Sequence, residues 1–80
     1  MRLPSNLTPR ELVKLLETID YVRIRQRSTH IRMRTERPSR HHVTIVDAKP
    51  IKVGTLRATL RLIANHRGQT VDQVAEELFG

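Results

Sequence analysis

The side chains best suited to chemistry lie between Tyr21 and His42. Arg23, Arg25 and Arg27 recur at every second position, then His30, Arg32 and Arg34, and a His41-His42 pair follows. The stretch holds seven arginines against Glu36 alone. A guanidinium donates two parallel hydrogen bonds to a phosphate, so such a block suits a polyanionic partner. A histidine among guanidinium groups adds a base that titrates near neutral pH. It can take the proton of an RNA 2′-hydroxyl while the arginines stabilise the phosphorane that forms. The same pattern equally suits a histidine that only contacts phosphate or is merely exposed. The residue types leave these readings of His30 level.

Other candidates are weaker. His42 can be a second acid–base partner if it faces His30 across a sheet, but its plainer reading is a surface strand residue. His41 and His66 carry no functional pattern. A His30/His41/His42 metal site is disfavoured, because adjacent strand residues point to opposite faces and no carboxylate follows in a ligand pattern. No cofactor is expected. Lys49 and Lys52 flank Pro50 ahead of a helix start, where backbone N–H groups and lysines together can hold a phosphate or simply be solvated. Gly54-Thr55 begins a helix and is no nucleotide loop, since Gly-x-x-x-x-Gly-Lys is absent.

The elements that must position these residues follow from periodicity. Thr8-Pro9-Arg10-Glu11 is a capping box with proline at the first helical position. Leu12, Leu15, Leu16 and Ile19 continue it as a helix over about Pro9 to Thr18. The period then drops to two, predicting strands at Tyr21–Gln26, His30–Thr35 and His41–Val46. The links Arg27-Ser28-Thr29 and Glu36 to Arg40 suit hairpins, so an antiparallel meander is expected. A second helix opens at Gly54-Thr55 and ends near Asn65 to Gly68. Thr70-Val-Asp-Gln73 is a second capping box and starts a third. This is an α+β order: helix, three-stranded antiparallel sheet, two helices. One sheet face is expected to bury Val22, Ile24, Ile31, Met33, Val43 and Ile45 against the helices. The other is expected to present Arg23, Arg25, His30, Arg32, Arg34, His42 and Thr44. That open face lacks the aromatics that stack bases in sheet-based RNA readers, so a backbone reader is expected.

These residues carry a family resemblance that covers nearly the whole chain. Thr8-Pro-Arg-Glu-Leu-Val-Lys-Leu-Leu16 resembles the first helix of the HicA toxins of toxin–antitoxin pairs. Tyr21-Val22 is similar to their entry into the first strand. Arg25-Gln-Arg-Ser-Thr-His30-Ile-Arg-Met resembles their arginine-rich stretch ending in a Gly-Ser-His or Gly-Thr-His signature. His42-Val-Thr-Ile and Lys49-Pro-Ile-Lys-Val-Gly-Thr-Leu-Arg resemble the third strand and the loop into the second helix. The resemblance implies a double-stranded-RNA-binding-domain-like fold and an mRNA-cleaving activity inhibited by a cognate HicB antitoxin. It maps the catalytic role onto His30; the RNA contacts are instead expected from charge and placement, at Arg23, Arg25, Arg27, Arg32, Arg34, His42, Lys49 and Lys52. Ser28 stands where the family usually has glycine. Serine must either adopt positive φ at a cost or use a different turn.

Composition agrees and excludes other classes. Lys plus Arg total 15 against 8 acidic residues, a net charge of +7, and only Lys14, Lys49 and Lys52 are lysines. With no cysteine, disulfides and thiolate metal sites are excluded. Eighty residues suit one domain with a thin core, taken as residues 1–80. No apolar signal or membrane-spanning segment is visible, so a cytoplasmic protein without a membrane partner is expected. The main rival function is a non-catalytic RNA-binding module using the same face. A DNA-binding domain is disfavoured, because the charge sits on strands and no recognition-helix motif is present.

Overall fold

The computed structural model describes residues 2–80. Helix α1 spans Pro9–Glu17, and both bonds of the expected capping box form. The Glu11 N–H donates to Thr8 Oγ1 at 3.1 Å and the Thr8 N–H donates to Glu11 Oε1 at 2.9 Å. The Thr8 backbone N–H also holds the Glu11 carboxyl below its ordinary range. Pro9, Leu12, Val13 and Leu16 form the buried stripe of α1.

Three strands follow: β1 (Val22–Arg27), β2 (His30–Thr35) and β3 (His41–Val46). They form one antiparallel sheet in the order β1-β2-β3. Helix α2 spans Val53–Arg67 and ends at Gly68, whose φ of 66° is the left-handed cap that glycine adopts without steric cost. Helix α3 spans Val71–Phe79 and starts from the second capping box, with the Gln73 N–H donating to Thr70 Oγ1 at 3.1 Å and Gln73 Oε1 accepting from the Thr70 N–H at 2.8 Å. This α+β fold matches the double-stranded-RNA-binding-domain-like arrangement expected from the sequence.

One core joins Leu12 and Leu16 of α1, Ile31 and Met33 of β2, Val43 and Ile45 of β3, Leu56, Leu60 and Ile63 of α2, and Val74 of α3. β2 alternates between exposed and buried positions, as a strand covered on one face must. Arg67 ties the layer of helices together. Its Nε donates to Gln69 Oε1 at 2.9 Å, one terminal nitrogen donates to the Ile19 carbonyl at 3.4 Å, and the other meets Glu77 Oε2 at 3.1 Å.

β1 corrects the expected burial. Val22 and Ile24 are not core residues; they are 53% and 40% exposed. Tyr21 is buried instead, at 1% exposure. An aromatic ring buries far more apolar surface than valine, so placing Tyr21 inward sets the phase of the strand entry. A shift of one residue turns each side chain to the opposite face. Val22 therefore pairs with Arg34 on the open side, and Arg23 pairs with Met33 on the helix side. The register then slips between Arg23 and Arg25, with Ile24 the extra residue. That bulge restores the expected phase: Arg25 pairs with Arg32, Gln26 with Ile31, and Arg27 with His30.

Candidate active site

The open sheet face is a set of rungs whose side chains share one side. Arg27, His30 and Val46 form one rung. Arg25, Arg32 and Thr44 form the next, and Val22, Arg34 and His42 the third. His30 begins β2 directly after the two-residue hairpin Ser28-Thr29. Ser28 has φ of 53°, while Thr29 is not among the positive-φ residues. That is the sign pattern of a type II′ turn, in which glycine is favoured at the first position. Serine therefore adopts the tight turn and bears its steric cost. The Asp47 N–H donates to the Thr29 carbonyl at 2.6 Å, fastening the turn to the end of β3.

His30 is exposed, with its Nδ1 3.4 Å from Thr29 Oγ1. With Arg25, Arg27, Ser28, Arg32 and Thr44 it lines an open depression of about 500 Å³. Arg25 and Arg32 stand directly opposite one another. Like charges in that arrangement repel unless an anion lies between or beside them. Among the described residues, no carboxylate forms an ion pair with Arg25, Arg27 or Arg32. A face of this kind can receive an anion from outside.

Arg34 lies on the same face but is already engaged. Its Nε is 2.9 Å from Glu36 Oε2, and Glu36 also holds Arg40 at 3.3 Å. Exposed pairs of this type are worth at most about 1 kcal/mol, so a phosphate can compete for Arg34. His42 does not face His30. It pairs with Arg34, with the Arg32–Thr44 rung between the two histidines. That separation is roughly 13 Å along the strands, too far for both rings to serve one phosphate. Partial desolvation and then the charges of Arg32, Arg34 and Arg40 lower the pKa of His42.

Arg23 departs most from expectation. The bulge leaves it on the helix side of β1, where it lines a depression with Lys49, Arg10 and Lys14. Lys52 is exposed at the N-cap of α2, a cap with no side-chain hydrogen bond. Sequence reasoning missed the half-buried cluster behind the sheet: the Tyr21 hydroxyl is 2.8 Å from His41 Nδ1, and His41 stacks on His66. Only the pairing of His41 with Thr35 and the course of α2 bring these rings together, and neither is written in local sequence.

A family model described as the HicA toxin of bacterial toxin-antitoxin matches residues 9–64. The chain belongs to the HicA toxin family. The matched span contains α1, the whole sheet and most of α2, and so every candidate residue of the site. No curated protein and no solved structure is matched by the chain. As a HicA toxin it is the toxic member of a toxin–antitoxin system and has an antitoxin as its partner. Among the described residues, no helix is long and apolar enough to cross a membrane.

Proposed function

We propose that this HicA toxin binds and cleaves mRNA in the cytoplasm as a metal-independent endoribonuclease, with His30 as its acid–base residue. The observation that supports this most is the pair of adjacent rungs, Arg27–His30 beside Arg25–Arg32. They set an imidazole among three guanidinium groups that, among the described residues, have no carboxylate partner. In the proposed reaction the imidazole of His30 takes the 2′-hydroxyl proton. The 2′-oxygen attacks the adjacent phosphorus, Arg25, Arg27 and Arg32 hold the equatorial oxygens, and the P–O5′ bond breaks. The protonated imidazole then returns its proton to the leaving 5′-oxygen. The products are a 2′,3′-cyclic phosphate and a 5′-hydroxyl. Arg34, His42 and Lys52 contact the strand away from the cut.

A HicB-type antitoxin silences this activity by covering the same face with acidic groups. Charge complementarity of that kind mainly speeds and orients association. The exposed Val22 and Val46, at opposite corners of the face, offer it apolar contacts.

The test is His30→Ala on a labelled RNA. His30 is exposed, so the variant should fold and bind RNA as wild type does. Its cleavage rate should fall by roughly 10²–10⁴, the range for loss of a positioned general base or acid. Wild-type cleavage should persist in EDTA and spare a substrate with a 2′-deoxy sugar at the cut site. A His30→Ala protein that cuts as fast as wild type would replace this reading with that of a non-catalytic RNA-binding module.

A further inference from the structure

β1 carries arginines on both of its sides. Arg25 and Arg27 face the open side, whereas the bulge turns Arg23 to the side of α1. There Arg23 meets Arg10 and Lys14, one turn apart on α1, and Lys49 from the segment between β3 and α2. These cations surround a depression of about 360 Å³ whose floor includes Val13 and Ile31. The same depression holds two carboxylates, Glu17 and Asp47. Among the described residues, neither forms an ion pair within 4.0 Å with any of the four cations. Four cations from three separate elements thus converge around two carboxylates that pair directly with none of them, leaving a surplus of two positive charges.

We propose that this cleft is a second phosphate subsite, which takes a backbone phosphate of an RNA strand already lying on the open face. The inference rests on the reading that the open face binds RNA. The occupant follows from continuity: alternate side chains of one strand supply guanidinium groups to both sites, so a polyanion crossing β1 passes from one set to the other. Gln26, on the helix side of β1 beside Arg23, adds a neutral donor to the cleft. The strand would therefore bend around β1 instead of lying flat over the sheet. RNA long enough to reach the cleft would gain affinity that a short segment cannot.

The double variant Arg10→Gln/Lys14→Gln tests this, since both positions are exposed helical residues outside the proposed active face. Fluorescence anisotropy would compare labelled oligouridines of about 3 and about 12 nucleotides, bracketing the span of a typical single-stranded site. For the long oligomer, affinity should fall about three- to tenfold and the slope of log K against log salt should shrink by about 0.7, the value for one lost phosphate contact. Binding of the short oligomer should be unchanged. A long oligomer bound with wild-type affinity and slope would overturn the subsite, while its weakening by Arg32→Ala would leave the open-face reading standing. Failure of the wild type to bind either oligomer would overturn both. Loss of antitoxin binding with an unchanged RNA slope would assign the cleft to an acidic protein segment and overturn the RNA subsite.

Discussion

His41 and His66 stack face to face, with ring centroids 4.3 Å apart and planes 9° from parallel. Tyr21 closes the cluster edge-on against His41. Burial pushes the Tyr21 phenol up to about 12, so it keeps its proton and can donate to an unprotonated His41 Nδ1. His66 Nε2 is buried without a hydrogen-bond partner. Nothing in this arrangement welcomes a second positive charge.

A pH dependence of stability follows. Desolvation first, then His66 and His42, lower the pKa of His41 from 6.5. The unfolded chain therefore binds the proton more readily than the folded one. This contribution to stability is present above 6.5 and lost as pH falls through the depressed folded value. His42 acts in the same direction. The melting temperature should drop between about pH 7.5 and pH 5.5, the window in which histidines titrate. Glu11 works separately, since its stabilisation is lost only below 4.5. His66→Leu should reduce the slope without abolishing it, because burial is the larger cause of the His41 shift. A melting temperature flat across the window would refute the stacking argument.

The two apolar residues Met33 and Ile24 should behave differently on truncation. Met33 is 0% exposed at the centre of β2, and Met33→Ala should cost on the order of 2–4 kcal/mol. Ile24 is the bulged residue, and Ile24→Ala should cost about 0.5 kcal/mol, as for a surface site. Urea unfolding of both variants checks the phase of β1. Equal losses would place Ile24 back in the core.

Ser28→Gly should stabilise the fold. A left-handed conformation costs a non-glycine residue about 1–2 kcal/mol. Glycine returns about 0.4–1 kcal/mol of this through the entropy of the unfolded chain. A net gain of about 0.5–1 kcal/mol in chemical denaturation is expected from this difference. No gain would mean that the strain at Ser28 does not exceed the chain-entropy cost of glycine.

Arg67→Ala should cost about 1–2 kcal/mol, because its guanidinium hydrogen-bonds groups from three parts of the chain. Arg67→Lys should recover only part of this, since an ammonium cannot span Gln69, the Ile19 carbonyl and Glu77 together. Full recovery by lysine would reduce the residue to a point charge.

Much of this architecture is legible in the sequence. Thr8 and Thr70 announce two helices through capping boxes that both form, and Ile31, Met33, Val43 and Ile45 keep the phase their alternation implies. β1 was not legible, because Val22-Arg23-Ile24-Arg25 has the same alternation as β2 and no glycine marks the bulge. Burial of Tyr21 decided the outcome, and that competition is settled by the volume of the whole core. His30 and its arginine neighbours were legible as residue types. The position of His42 opposite Arg34, and the meeting of Arg10 and Lys14 with Arg23 and Lys49, depend on register and loop path that no short motif encodes.

The bulge at Ile24 also governs how copies of this chain behave toward one another. β1 is an outer strand, and a flat outer strand with free backbone groups invites a second copy to add itself and begin a fibre. Here the register slips between Arg23 and Arg25, and a neighbour pairing antiparallel would bring its own guanidinium groups against Arg25 and Arg27 on the open side. Self-assembly through this strand is thus opposed by both geometry and charge. Concentrated protein released from its antitoxin should stay dispersed, and raising the salt should weaken that protection by screening the arginines.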